Sequence, residues 1–413
     1  MSLELNYYEL GNISDIKGGK RLPKGHTLIE IPNNHPYIKV KDMGNDKLLK
    51  LNDDFEYIEN ETFNQISQYI VKKRDLIVSI VGTIGLTNII DYSLDNANLT
   101  ENCAKITNLK EGFNIEYIYY YLNSNIGQNL IQEATVGAVQ KKLPIKNIRS
   151  LNIPFPNLDI QNKIVKILST IDKKIETNKK INKNLEQLLN TIFNYWFISF
   201  DKFKNVPLKQ SLLGNIPEGW DCAALRDLLT LTKNPIKSDE TNGLPYLPID
   251  IIPMNSLGIS ELKSDEEANS SLITFNKNDI LIGAMRVYFH RVVISPCSGV
   301  TRSTCFVLKP KNEHHLSYLL LLCNLDRTIQ YAQNTSKGTT MPYAVWDNGL
   351  GDMDIIMPPE DILLEFHELV FPIIENIRDS YLEINKLSKL RDTLLPKLMS
   401  GEIDVSQINY DLE

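Results

Sequence analysis

Enzyme chemistry needs a nucleophile beside a base, a pair of carboxylates, a metal cluster or a phosphate cradle, and this sequence holds only fragments of each. The run "NIPF" (Asn152–Phe155) carries an amide, a proline and an aromatic ring, the types that grip a flipped base for amino-group methylation when the run reads Asn-Pro-Pro-Phe/Tyr. Its second position is Ile153, and no F-x-G-x-G cofactor loop precedes it, so a strand-to-helix junction is the expected role. "VGTIG" (Val81–Gly85) is Gly-x-x-Gly on a strand-like run and lacks the spacing of a Walker loop. A nuclease-like set can be assembled from Asp250, Glu261 and Lys263, but these fall in a loop-rich acidic segment. His314 and His315 are adjacent, so they point opposite ways rather than to one metal, and nothing supports a Ser-His-Asp set. The residues read as non-catalytic, with no cofactor or metal bound by this chain.

Binding chemistry is better represented. The formal net charge is −7, which alone argues against nucleic acid. Its distribution is uneven, however, and local fields matter more than the sum. Every formal charge between Asp15 and Glu30 is positive (Lys17, Lys20, Arg21, Lys24). The same holds between Glu133 and Asp159 (Lys141, Lys142, Lys146, Arg149) and between Asp279 and Glu313 (Arg286, Arg291, Arg302, Lys309, Lys311). Three such runs in a net-acidic chain point to a segregated anion-binding face. The five cysteines are scattered without a C-x-x-C, which fits a reducing cytoplasm. The longest apolar run, "YLLLLC" (Tyr318–Cys323), is far short of a membrane span, and "MSLELNYYEL" does not read as a signal peptide. A cytoplasmic protein is expected.

The elements that must position these residues come twice. "HPYIKVKDM" (His35–Met43) matches "LPYLPIDII" (Leu244–Ile252), aligning Tyr37 with Tyr246. "KRDLIVSIVG" (Lys73–Gly82) matches "KNDILIGAMR" (Lys277–Arg286), "EYIYYYLNS" (Glu116–Ser124) matches "SYLLLLCNL" (Ser317–Leu325), and "SLNIPFPNLDIQNKI" (Ser150–Ile164) matches "DMDIIMPPEDILLEF" (Asp352–Phe366). The offsets all lie between 201 and 209 positions, so the chain is a tandem duplication. Each copy opens with short β-branched and aromatic runs between Gly, Pro and Asn punctuation, and then turns helical after a proline and an acidic residue.

In the first helical stretch Ile160, Ile164, Ile167, Ile171, Ile181, Leu185, Leu188 and Ile192 recur at spacings of three and four or their sums, with Asn178 in the seam. In the second, Leu363, Phe366, Val370, Ile373, Ile377, Ile384, Leu387 and Leu394 do the same, with Ser380 at the polar position. A heptad-like period sustained so long predicts two coiled-coil helices. The fold class is therefore α+β: a tandem repeat of two mixed α/β domains joined by two long helices in an antiparallel coiled-coil spacer, with pseudo-two-fold symmetry. The expected boundaries are a first domain over 1–153, a first spacer helix over 154–203, a linker and second domain over 204–357, and a second helix with its tail over 358–413.

A duplicated, locally basic chain with a helical spacer suits a ligand that itself has two parts, and duplex DNA is one. The sequence also resembles the specificity (S) subunits of Type I restriction-modification systems along its whole length. "LLPKLMSGEIDV" (Leu394–Val405) is similar to that family's C-terminal ending, and "LGNIPEGWDCAALRDL" (Leu213–Leu228) to its passage into the second target-recognition domain. "YYELGNISDIKGGK" (Tyr7–Lys20) and "IPFPNLDIQNKIVKIL" (Ile153–Leu168) resemble further family segments. The resemblance implies that each domain reads one half of a bipartite, asymmetric DNA site. It implies that the helices dock two methyltransferase (M) subunits, which carry S-adenosylmethionine-dependent adenine-N6 methylation. Restriction (R) subunits using ATP and magnesium would complete the assembly. Two other readings stay open on the residues alone: a stand-alone DNA-binding regulator, and a coiled-coil scaffold without nucleic acid.

The expected DNA contacts in the first domain are Lys20, Arg21, Lys41, Thr83 and the "GAVQKK" turn with Gly137, Gln140, Lys141 and Lys142. In the second they are Lys237, Tyr246, Arg286, Tyr288, His290, Arg302, Lys337, Thr339 and Tyr343. Arg286 and Gln140 are the expected base readers, since arginine fits guanine and glutamine fits adenine with two hydrogen bonds each. Tyr246, aligned with Tyr37 in a β-like run, also has a core reading.

Overall fold

In a computed structural model, which describes residues 4–44, 46–138, 140–269 and 271–408, the chain divides into two compact units. One comprises Met1–Lys173 with Ser388–Glu413, the other Lys174–Leu387. The final residues of the expected tail, 409–413, lie outside the described residues.

The first unit contains nine strands: β1 (Asn6–Glu9), β2 (Asp15–Gly18), β3 (Tyr37–Ile38), β4 (Leu48–Leu49), β5 (Leu76–Ser79), β6 (Thr87–Ile90), β7 (Asn98–Leu99), β8 (Cys103–Thr107) and β9 (Asn152–Phe155). The main sheet has the order β2-β8-β5-β6-β4, while β3 pairs parallel with β7 and β1 antiparallel with β9. "LIVS" in β5 is buried on both faces, as its unbroken apolar run requires of a central strand. A helix at Ile115–Asn123 ("IEYIYYYLN") is buried over most of its circumference, and the Asn114 side chain caps it by accepting from the Glu116 N–H. "NIPF" is β9 itself: Ile153 and Phe155 are buried, and the Pro154 carbonyl accepts from the Tyr117 hydroxyl at 2.9 Å. The run is structural.

The second unit repeats this plan with β10 (Leu208–Ser211), β11 (Gly214–Pro217), β12 (Asp221–Ala224), β13 (Leu229–Thr232), β14 (Pro235–Ile236), β15 (Tyr246–Leu247), β16 (Leu272–Phe275), β17 (Ile280–Gly283), β18 (Val292–Ile294), β19 (Gly299–Arg302), β20 (Cys305–Pro310) and β21 (Asp354–Met357). Order β13-β20-β17-β18 answers β2-β8-β5-β6, the parallel pair β15–β19 answers β3–β7, and β12–β21 answers β1–β9. The hairpin β10–β11 follows the first long helix.

Those helices span Leu158–Phe193 (36 residues) and Glu360–Met399 (40 residues). Each therefore starts a few residues beyond the boundary expected from sequence, because β9 and β21 run on to Phe155 and Met357. Within the first unit Asp172 pairs with Arg391 at 3.1 Å and Lys163 donates to the Ser406 carbonyl at 3.0 Å. Within the second, Asn178 donates to Glu383 at 2.7 Å and Phe193 packs on Phe366. In each unit the helix segments run antiparallel.

The seam differs in detail from the sequence reading. Ile181 and Leu188 are exposed, while Asn178 is buried as expected and Leu168, Ile175, Asn182, Leu189 and Phe193 are buried as well. On the second helix Ile374 and Leu395 are the buried residues where Ile373 and Leu394 were expected, and the buried polar group is Arg378 rather than Ser380. The 3.6-residue turn drifts off a strict heptad, and the bulky Leu189 and Phe193 capture the core face one position later. Arg378 donates to Asn278, Glu375 and Asp379, whereas both amide atoms of Asn182 are buried without a partner among the described residues. The second helix continues through Pro372 and Pro396 and stops at Gly401, whose φ of +76° suits glycine. Beyond it Val405 is buried in the first unit's core with Leu398 and Met399.

Candidate nucleic-acid interface

Sheet register decides which loops meet. In the first unit Gly18 at the end of β2 lies opposite Ala104, and Ser79 at the end of β5 opposite Cys103. The segments leaving β2 and β5, and the one entering β8, therefore emerge at one edge. Lys20–Arg21, Val81–Gly85 and Glu101–Asn102 are those segments. The Ile80 N–H donates to the Asn102 carbonyl (2.8 Å) and the Leu143 N–H to the Ile80 carbonyl (2.9 Å), which brings in a hairpin closed by two Val136–Lys142 hydrogen bonds of 2.9 Å. At its turn Gly137 has φ +103°, and a Cβ there would fall 2.4 Å from the Gln140 carbonyl oxygen. Only glycine fits. Gln140, Lys141, Lys142 and Thr83 are exposed, and among the described residues no hydrogen bond or ion pair holds the first three side chains.

Lys20, Arg21 and Lys41 are more constrained. Arg21 pairs with Glu101 at 2.6 Å and Lys41 with Glu56 at 2.6 Å, while Lys20 lies over the Tyr69 ring. Arg21, Lys39 and Lys41 line a cleft of about 370 Å³ with Tyr37, Glu101 and Asn102. Lys39, which sequence reasoning passed over, also pairs with Glu56. Part of the basic charge seen in the sequence is thus already matched, and phosphates would have to compete for it. Burial pushes the Tyr37 phenol up, and its hydroxyl donates to the Lys20 carbonyl at 2.7 Å.

The same edge recurs in the second unit. Thr232 ends β13 opposite Val307, Gly283 ends β17 opposite Cys305, and the turn after β17 runs from Arg286 to His290. A second hairpin, closed by two Lys337–Tyr343 hydrogen bonds of 2.9 Å, adjoins it through Met285–Tyr343 pairing and a 2.8 Å bond from the Arg286 N–H to the Pro342 carbonyl. Val81–Lys142 pairing in the first unit is the counterpart, so Arg286 occupies the place of Gly82. Both have positive φ, 49° for Arg286 and 81° for Gly82. An arginine kept where the backbone favours glycine carries strain, which sites of function tolerate. Its side chain is exposed and, among the described residues, without a partner.

The remaining expected contacts divide. Tyr288, Lys337, Thr339 and Tyr343 are exposed along this edge. Lys237 is exposed and 3.9 Å from Glu240. His290, also at positive φ, is engaged inward: Nε2 lies 3.0 Å from the Asn324 carbonyl oxygen and Nδ1 3.3 Å from Asp326. Tyr246 is overturned as a surface contact. It is 3% exposed, since the β15–β19 pairing seats it in the core, and its hydroxyl accepts from the Arg302 Nε at 3.1 Å. Tyr246 positions Arg302 instead. Arg291, counted in the basic run, is also withdrawn, donating to the carbonyls of Ile249 and Ile252. Lys233, exposed just beyond β13 at the edge, was not singled out by sequence reasoning, though its place after a β-branched run could have marked it. Among the described residues no group of three His, Cys, Asp or Glu side chains is arranged to hold a metal.

Known proteins share this design. The model of the Type I restriction modification DNA specificity domain matches residues 3–187. The MjaIX specificity subunit of a Type I restriction enzyme from Methanocaldococcus jannaschii is 27% identical over 390 residues, covering 90% of this chain and 88% of its own. The HindI specificity subunit from Haemophilus influenzae is 22% identical over 408 residues, covering 81% and 87%. In fold, the S subunit of a Type I restriction-modification system from M. genitalium aligns over 96% of both chains with a TM-score of 0.62 at 16% identity. Over both copies the chain is thus similar to the specificity subunits of Type I restriction-modification systems, and the model of their DNA specificity domain matches its first copy.

Proposed function

We propose that the chain acts in DNA sequence specificity, like the specificity subunits it resembles, by presenting the loop edge of each unit to one half of a bipartite, asymmetric duplex site. The observation that carries this is the repeated edge itself: a post-strand turn and a glycine hairpin joined by the same backbone pairing in both units. The side chains at equivalent positions differ, Gly82 against Arg286 and Gln140 against Met341, so the two edges offer different chemistry to the two half-sites. Lysines at the rims supply salt-sensitive phosphate contacts. The two long helices, each running from one unit into the other, set the spacing between half-sites.

The chain contributes recognition and no catalytic step. Methylation with S-adenosylmethionine belongs to M subunits, and ATP-driven cleavage to R subunits. Ile181 and Leu188 support docking of a partner: they stand seven residues apart on one helix face and are each exposed by over 40%. Changing Ile181 and Leu188 to lysine should block assembly with M subunits without altering the thermal transition; unaltered assembly rules that face out. Methylome sequencing of cells expressing the chain with its M subunit tests the whole reading. A single bipartite motif with a fixed gap is expected, and methylation without a sequence preference, or at a continuous short site, refutes it.

A further inference from the structure

Next to the loop edge, the second unit holds a cavity of about 790 Å³. Its inner wall is Phe306 and Trp346, whose ring centroids stand 6.1 Å apart at 69°. The indole is fixed from behind. A Cβ on Gly351 would come within 2.8 Å of it, so a glycine is needed there for the following turn to pack so closely. The cavity's outer lining includes Lys233, Thr304, Lys337 and Tyr343. It belongs to the same edge, since the Ala284 N–H donates to the Thr304 carbonyl (3.0 Å) and the Ala344 N–H to the Ala284 carbonyl (2.9 Å). The side chains of Lys233 and Lys337 are exposed and, among the described residues, have no partner.

Flat apolar walls with two free ammonium groups outside them match a planar heterocycle attached to a phosphate. The volume lies in the range that encloses a small ligand, and a nucleotide needs no more. A base leaves its stack only at a cost, which aromatic walls offset by restacking it. We propose that the cavity receives one unstacked nucleotide of the bound DNA, its base against Phe306 and Trp346 and its phosphate at Lys233 and Lys337. This rests on the DNA-reading role proposed above and adds to it an indirect mode of recognition, in which the ease of unstacking at one position is read.

The test uses the full chain with its M subunits, on duplexes bearing its site and 2-aminopurine at successive positions of the second unit's half-site. Fluorescence should rise a few-fold at one position other than the methylated adenine. Ser303→Trp, which puts a bulky ring at an exposed position of the lining, should abolish that rise and weaken binding on the order of tenfold, the loss of one base–aromatic stack. Lys233→Ala with Lys337→Ala should weaken binding at low salt and flatten its salt dependence. Site-specific binding with no rise at any such position, or a rise that survives Ser303→Trp, overturns the proposal and leaves sequence reading intact. Absence of site-specific binding by the unaltered complex overturns both. Saturable binding of free dAMP in the cavity, with the DNA arm silent, also overturns it.

Discussion

Arg286→Gly separates function from fold, because its two effects should carry opposite signs. Arg286 sits at φ 49° in the place where the first unit has Gly82. A left-handed conformation costs a non-glycine residue about 1–2 kcal/mol, and glycine returns roughly 0.5–1 kcal/mol of that through its greater freedom in the unfolded chain. The side chain is exposed and unpartnered, so no packing is lost with it. Stability should therefore hold or rise by up to about 1.5 kcal/mol. DNA binding should fall by about 1–3 kcal/mol, roughly 5- to 150-fold, with the loss concentrated at one base pair of the site. The assay pairs denaturant unfolding with fluorescence anisotropy on duplexes substituted at each position, using the chain with its M subunits. A loss spread evenly over all sequences, with a salt slope smaller by about 1, would assign Arg286 to a phosphate. A fall in stability together with equal weakening on every duplex would refute the reasoning, since the arginine would then be supporting the loop.

Asn182→Leu should stabilise the second unit by about 1–3 kcal/mol, because both amide atoms are buried unpaired; a lower denaturant midpoint would show that the amide is paired in solution. Burial pushes the Glu186 carboxyl up, against the hydrogen bonds it accepts from the Leu257 N–H and Ser256 hydroxyl. A carboxyl raised on folding binds its proton more tightly in the folded state, so stability should decline as pH rises from about 4.5 through the raised value. Glu186→Gln should flatten that decline, and an unchanged pH profile in urea unfolding counts against it. Ending the chain after Leu395 removes Leu398, Met399 and Val405 from the first unit's core. The loss, roughly 5 kcal/mol or more, rivals the stability of a domain. The first unit's thermal transition should vanish while the second's survives; retention of both would contradict the packing described.

The duplication and both helices were legible in the sequence because they rest on periodicity, and periodicity is what a chain displays without its partners. The seam was legible in large part: Ile160, Ile164 and Asn178 are buried as expected, and Ile167, Leu185 and Ile192 pack against the cores. A strict heptad also selects Ile181 and Leu188, whereas the helix turns Leu189 and Phe193 inward, a choice set by the aromatic cluster of Tyr318 and Phe366 that sequence spacing does not express. Lys20, Arg21, Arg286, Lys337 and Tyr343 were singled out through charge and turn chemistry. Their gathering at one edge within each unit was not visible, since it follows from the register of β2, β5 and β8 and their counterparts. For Tyr246 and His290 the sequence left the direction open, because a polar tip on a ring looks the same in sequence whether it faces solvent or an internal partner.

The burial of Leu395, Leu398, Met399 and Val405 among residues of the first 168 fixes an order of events during synthesis. The second unit is contiguous and can close as soon as Leu387 has left the ribosome. The first cannot, although most of it is made earlier. Between Lys173 and Leu398 the ribosome adds some 225 residues, which takes about 10–45 s at typical rates. Through that interval the face of Ile160, Ile164 and Leu168 has no covering helix. The unit translated first is completed last, and the nascent chain must be kept from misassembly until the segment from Leu395 to Val405 arrives.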